Sequence, residues 1–328
     1  MNNRYIWFDS FGRPDEVLQT GEKAIAPPRA DEVLVRMLAS PINPSDLIPI
    51  TGAYAHRIAL PSIPGYEGVG VVEEAGAAVP RAFIGRRVLP LRGEGTWQQW
   101  VRCPARWAVI VPPEIEDSAA AQLYINPLTA WVICRERLKL QEGQVLAVNA
   151  CGSAIGRIFV QMARLSGVRM LAIVRSGAYT AELRRLGANV VIDTSQVPLY
   201  EAIMEATNGL GADAAIDSIG GGDGTELARS VRAKGTFITI GLLSGKPLDW
   251  RIIGQEKTIL AQMFHLRHWN RDVSEQAWQD AFAQLCFYVR TGTLQLLPAA
   301  KRFPLAKITQ AVRTVSAAEG NAGKIILG

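Results

Sequence analysis

Val145-Leu-Ala-Val-Asn149-Ala-Cys-Gly-Ser153-Ala-Ile-Gly156-Arg-Ile-Phe-Val160 is the stretch on which the reading of this chain turns. Val145 to Asn149 reads as a buried strand, the small residues that follow as a tight turn, and Ala154 to Ser166 as a helix that begins without a spacer. In that geometry free backbone N–H groups and the helix N-terminus point at one spot, where they can hold a pyrophosphate. The dinucleotide fingerprint G-x-G-x-x-G stands here as Cys151-x-Ser153-x-x-Gly156, with only its third glycine kept. Context rather than letters carries the dinucleotide-binding reading. The plain alternative is an ordinary strand-to-helix turn.

The alternation continues downstream. Strands are expected at Met170–Val174, Val190–Ile192, Ala214–Asp217 and Thr236–Ile240, with a helix at Thr180–Leu186 closed by Gly187. Strands and helices spaced in this way imply βαβ units and a parallel sheet covered on both faces. Upstream, the first 112 residues read as β-rich. Strands are expected at Glu32–Leu38, Val69–Glu73, Arg87–Leu89 and Trp107–Val111, with a long Pro- and Gly-punctuated loop from Pro41 to Gly70. Asp117 is placed to cap a helix over Ala119–Leu123. After Ile240 an amphipathic helix carries Trp278, Ala281, Phe282, Leu285, Cys286 and Val289 and ends at Gly292. A second carries Leu305, Ile308, Ala311, Val312 and Val315, and a strand at Lys324–Leu327 follows.

Composition narrows the function classes. The 328 residues suggest two domains, and 48% hydrophobic with 20% charged residues excludes a disordered chain. The net charge of +5 is scattered, with no basic block, which argues against a nucleic-acid partner. No apolar run reaches the roughly 18 residues of a membrane span. The N-terminus shows no secretory signal, so the expected location is cytoplasmic. The four cysteines, Cys103, Cys134, Cys151 and Cys286, lack C-x-x-C spacing and read as reduced, unpaired thiols.

At the end of the second strand of a dinucleotide fold a carboxylate would take the ribose 2′-OH of NAD. This chain has Val174-Arg175-Ser176-Gly177 instead. Arg175 can pair a 2′-phosphate, which points to NADPH rather than NADH; the alternative is a solvated surface arginine.

Taken together, several short motifs resemble those of the medium-chain dehydrogenase/reductase superfamily. They are Asn43-Pro-Ser-Asp46 with Gly52-Ala-Tyr54, Pro64-Gly65-Tyr66-Glu67-Gly68, Gly85-Arg-Arg-Val88, Asn126-Pro-Leu-Thr129-Ala, the turn above, Leu186-Gly-Ala188 and Gly323-Lys324-Ile. The resemblance implies an α/β chain with a GroES-like β-rich catalytic domain (1–120 and 266–328) and a Rossmann doubly wound parallel-sheet domain (121–265). Zinc-type members carry Cys where Asn43 stands and His where Tyr66 stands, and they have a four-cysteine lobe that is missing here. Zn²⁺ needs thiolate, imidazole or carboxylate donors, so no metal is expected. Without a Lewis acid, reduction of an already activated C=C is the natural chemistry.

Within that branch the chain looks more like the mitochondrial-type 2-enoyl thioester reductases than the quinone oxidoreductases, on the motifs 126–130, 149–156, Val174-Arg175 and Phe264-x-Leu266-x-x-Trp269. The resemblance implies NADPH contacts from Asn43, Asn126, Thr129, Gly152, Ser153, Ala154, Ile155, Arg175, Ser176, Ile219, Gly241 and Lys324. It implies substrate contacts from Phe264 and Trp269, though such aromatics serve equally in a core or interface. Tyr54 corresponds to the catalytic tyrosine, in a loop the family places over the nicotinamide. A phenol carries its proton at neutral pH, so Tyr54 can donate to the α-carbon or to an enolate oxygen after hydride reaches the β-carbon. It can also merely pack. The expected substrate is an enoyl-CoA or enoyl-acyl carrier protein. Quinone reduction, and cofactor binding without turnover, are the alternatives. Thr258–Met263 resembles an edge strand that pairs across a homodimer.

Overall fold

The computed structural model describes residues 2–256, 258–317 and 323–328. The chain divides into two compact units, residues 129–272 and residues 1–128 with 273–328.

The 129–272 unit is built on one parallel sheet of six strands. Their spatial order is Val190–Asp193, Arg169–Val174, Val145–Val148, Ala212–Asp217, Val231–Thr239 and Leu260–Met263. The strand earliest in sequence thus lies inside the sheet. The next two are added on one side of it and the last three on the other. The connecting segments carry helices, among them Ala154–Leu165, Thr180–Leu186, Leu199–Ala206 and Gly221–Arg229. Leu171, Ile173, Ile203, Leu227 and Phe237 meet in a core between sheet and helices. The apolar strands are buried on both faces, as expected when helices cover a parallel sheet. Gly187 stops its helix with a left-handed φ of 122°.

The other unit is β-rich. Glu32–Pro41 pairs with three strands, Val69–Ala75, Trp100–Pro104 and Lys324–Leu327. Ala299–Phe303 extends this sheet at one end, and Arg87–Leu89 and Val109–Ile110 at the other. A hairpin of Asn2–Trp7 and Gln19–Ala24 stands beside it. The helices Glu275–Arg290 and Ile308–Ala317 bury the apolar stripes read from the sequence. Trp278 is wholly buried, 5.0 Å from the Phe282 ring and 5.8 Å from that of Tyr124.

Several local expectations change. Asp117 does not cap a helix. The helix is Asp117–Ala120, its N-cap is Glu116, and the Asp117 carboxylate turns to Arg87 at 3.5 Å. Trp107–Val111 is not a continuous strand, because Ala105–Trp107 forms a 3₁₀ turn before the short strand Val109–Ile110. The 41–70 loop contains helical turns at Pro44–Leu47, Ile48–Thr51 and Ala55–Arg57. Gln19–Ala24 escapes a sequence reading because no position in it is buried and it carries no large apolar side chain, so no apolar alternation marks it. All four cysteines are free, as expected. Among the described residues no helix is long and apolar enough to cross a membrane.

Candidate functional site

The turn after Val145–Val148 is held from within. Ala150 takes the left-handed φ of 52° that glycine usually supplies. Ser153 N–H donates to the Ala150 carbonyl at 2.9 Å, and Cys151 N–H to the Ile173 carbonyl at 3.0 Å. Ser153 is the N-cap of Ala154–Leu165, its hydroxyl accepting from Gly156 N–H at 3.1 Å. Such a cap contributes about 1 kcal/mol. Gly156 is the one fingerprint glycine kept, and the reason is steric: a Cβ there would lie 2.5 Å from the Ala150 oxygen. Gly152 lies against the Tyr179 ring, where a Cβ would come within 2.9 Å. Arg157, 5% exposed, donates to the Gly152 carbonyl and forks onto Glu182 at 3.1 and 2.8 Å. The backbone of Gly152, Ser153, Ala154 and Ile155 therefore forms a preset cradle at a helix N-terminus, the geometry that suits a phosphate.

Arg175 and Ser176 follow the neighbouring strand and are both exposed. Among the described residues Arg175 makes no ion pair, so its fork is available to an anion. No carboxylate follows Val174 directly. Asp193, at the end of the next strand, takes the Ser195 hydroxyl at 2.7 Å and its N–H at 3.0 Å.

Ile219 and Gly241 lie together at the ends of the later strands. The segment after Gly241 folds back, with Leu243 N–H on the Ser218 carbonyl and Ser244 N–H on that of Ile219, each at 3.0 Å. Phe264 joins this end, its N–H donating to the Thr239 carbonyl at 2.9 Å, and its side chain is buried. Trp269 is also buried, and its indole N–H donates to Glu136 at 2.8 Å. Asn126 and Thr129 lie three residues apart on the helix Ile125–Val132, Asn126 half-buried and Thr129 buried.

In the β-rich unit, Asn43 and Lys324 meet in a buried network. The Asn43 side-chain N–H₂ donates to Glu67 at 2.7 Å, and the Lys324 ammonium donates to the Asn43 carbonyl oxygen. The second Glu67 oxygen accepts from Tyr124 and Ile125 N–H at 3.0 and 2.8 Å. Asp46 accepts from Asn43 and Tyr66 N–H at 2.8 and 3.0 Å. Burial pushes the Glu67 carboxyl up to about 7 and that of Asp46 up to about 6. Burial also depresses the Lys324 ammonium, against the pull of Glu67 and Asp46. Among the described residues no three His, Cys, Asp or Glu side chains are grouped to hold a metal ion.

Tyr54 is half-buried beside a 3₁₀ turn, with the Arg57 guanidinium 3.6 Å above its ring. The Tyr66 phenol is raised above its ordinary pKa, first by burial and then by Asp46, and it also feels Arg57 and Tyr54. Arg57, Asp217 and Thr239 were not singled out in the sequence, and Asn149 was read only as the end of a strand and part of a motif; only the folded chain brings their partners to them.

Two family models match the chain: an alcohol dehydrogenase GroES-like domain over residues 29–113 and a zinc-binding dehydrogenase over residues 154–282. Human mitochondrial enoyl-[acyl-carrier-protein] reductase is 30% identical over 308 residues, covering 92% of this chain and 82% of that protein. A solved Bacillus thuringiensis structure, provisionally named an NADPH:quinone reductase, is 55% identical with a TM-score of 0.98, covering 100% and 99% of the two chains. A Pseudomonas syringae quinone oxidoreductase is 25% identical with a TM-score of 0.89, covering 99% of each chain. The GroES-like and Rossmann expectations both hold, and the chain belongs to the medium-chain dehydrogenase/reductase superfamily, among relatives of the enoyl thioester reductases and quinone oxidoreductases.

Proposed function

We propose that this protein is an NADPH-dependent, zinc-independent reductase of activated C=C bonds, acting on 2-enoyl thioesters. The observation that carries the reading is the preset cradle at Gly152–Ile155 with the exposed Arg175 one strand away. The residues fit a dinucleotide: backbone N–H groups and a helix N-terminus suit its pyrophosphate, and Arg175 and Ser176 suit a 2′-phosphate. When bound, NADPH supplies a hydride from C4 for the β-carbon of the substrate. Ile219 and Gly241 shape the strand ends where a nicotinamide would rest. Tyr54 gives a proton to the α-carbon or holds the enolate oxygen.

A zinc ion does not fit. Of the two recognisable ligand positions, Asn43 has its amide committed to Glu67 and Lys324 and Tyr66 offers a phenol, while Lys324 brings a buried cation to the same network. No step is therefore assigned to a metal.

The names of the curated relatives support the enoyl thioester reading. The name of the Bacillus protein supports a second reading, NADPH:quinone reduction. The free cysteines support a reducing, cytoplasmic setting. A homodimer is part of the proposal. Leu260–Met263 ends the parallel sheet, with Leu260 64% and Met263 70% exposed. An edge this apolar calls for a partner strand, and a second copy supplies one.

Four outcomes test these statements. Arg175→Ala should weaken NADPH much more than NADH. The lost charge-assisted contact is worth about 1.5–3 kcal/mol, or roughly 10- to 150-fold in Kd by fluorescence titration. Equal losses for both cofactors would contradict the assignment. In a stopped-flow panel of enoyl-CoAs and quinones, the enoyl thioesters should be the faster oxidants of bound NADPH. On the best thioester, Tyr54→Phe should lose about 10²–10³ in kcat/KM with little change in NADPH affinity. A fully active Phe variant with a poor Ala variant would leave Tyr54 a packing residue. Light scattering should give a dimer for the native chain and a monomer for Leu260→Lys/Met263→Lys; a native monomer overturns the pairing.

A further inference from the structure

The sheet changes its direction of growth between Val145–Val148 and Ala212–Asp217. In open parallel sheets ligands bind at the carboxyl ends of the strands beside such a switch. Here that point is bridged by a hydrogen bond between two side chains. The Asn149 side-chain N–H₂ donates to Asp217 at 2.6 Å, and Ser218 N–H returns to the Asn149 carbonyl oxygen at 2.8 Å.

Asp217 is wholly buried. Its Oδ1 also accepts from Ile219 and Gly220 N–H at 3.0 Å each. Its Oδ2 takes Gly220 N–H at 3.1 Å and the Thr239 hydroxyl, which it shares with the Gly241 carbonyl, at 3.2 Å. The Asn149 amide and the Ile219 and Gly220 N–H groups on this carboxylate can only donate, a set that suits an ionised carboxylate. Among the described residues no lysine or arginine pairs with it. Neutral donors alone hold it, so burying it costs more than burying an amide of the same shape. Stability does not explain the choice of a charge here. The anion accepts from Ile219 N–H and is linked to Gly241 through the Thr239 hydroxyl, the two residues assigned above to the nicotinamide end.

We propose that Asp217 is a positioning residue whose buried negative charge favours the oxidised cofactor over the reduced one. This rests on the NADPH reading. When hydride leaves C4 for the β-carbon of the acceptor, two electrons and one hydrogen go with it, and the ring changes from neutral to singly positive. A fixed anion held in a low-dielectric floor is then attractive only to the product form of the ring. Asn149, Thr239 and the 219–220 backbone keep that charge in one place, so no reorganisation accompanies the transfer.

The test is the ratio of the NADP⁺ Kd to the NADPH Kd, measured by titration of the whole protein. In Asp217→Asn the ratio should rise about tenfold over the wild type. The exchanged pair Asn149→Asp/Asp217→Asn returns a carboxylate to the same hydrogen bond and should bring the ratio back within about twofold. If the Asn variant does not fold, Asp217→Ser, which leaves room for a water on the same donors, gives the same comparison. A loss common to both cofactors, with the ratio unmoved, overturns the proposal and leaves Asp217 a structural residue. A ratio that moves in the single variant and stays moved in the exchanged pair also overturns it, since geometry rather than charge would then be responsible. A wild type that binds neither cofactor fails at the NADPH reading instead, which keeps the two failures distinct.

Discussion

The Glu67 carboxylate is buried, and burying it costs several kcal/mol unless its oxygens are met. The β-rich unit meets them from distant parts of the chain. Asn43 comes from the end of the long strand, Tyr124 and Ile125 from the start of a helix, and Lys324 enters through Asn43 across 281 positions of sequence. The Lys324–Leu327 strand is in register beside Glu32–Pro41, which places the ammonium at the asparagine. Removing one member of such a network leaves an unmatched charge in the interior, at a cost of about 3–5 kcal/mol. The joining of the early and late segments into one unit therefore depends on this carboxylate as well as on the aromatic core around Trp278.

Much of the parallel-sheet unit was legible in the sequence because its signals are local. The strand at 145–148 is apolar throughout, the helix from Ala154 follows it directly, and Gly187 closes another. Each of these is fixed by residues within one or two turns. The turn itself was only half legible. Its third glycine is needed because helix and turn touch, and Gly156 reports that. Its left-handed residue is Ala150, which no glycine rule would select.

The β-rich unit was harder to read. The exposed hairpin strand at 19–24 has no apolar side to mark it, and the expected strand at 107–111 is broken by a turn that propensity does not see. The two carboxylate hubs were invisible for a different reason. Asp217 and Glu67 draw side-chain and backbone partners from as far as 68 positions away, and only a folded chain shows that those partners converge. Resemblance to the superfamily flagged Asn43 and Lys324 without indicating that they bind each other.

The two hubs put charge to different uses. In one unit an ammonium and a carboxylate, Lys324 and Glu67, are joined through Asn43 in a buried network. In the other, Asp217 holds a lone anion at the strand ends. The C=C reduction proposed above needs no metal, because such a substrate brings its own activating carbonyl and needs only a hydride and a proton source. The most direct measurement is the fate of the transferred hydrogen. With NADPH deuterated at C4 and an enoyl thioester, mass spectrometry and NMR of the product should place one deuterium on the β-carbon and a solvent-derived proton on the α-carbon. Deuterium on a carbinol carbon, or a thioester returned unchanged while quinones consume the deuterated cofactor, would contradict the account.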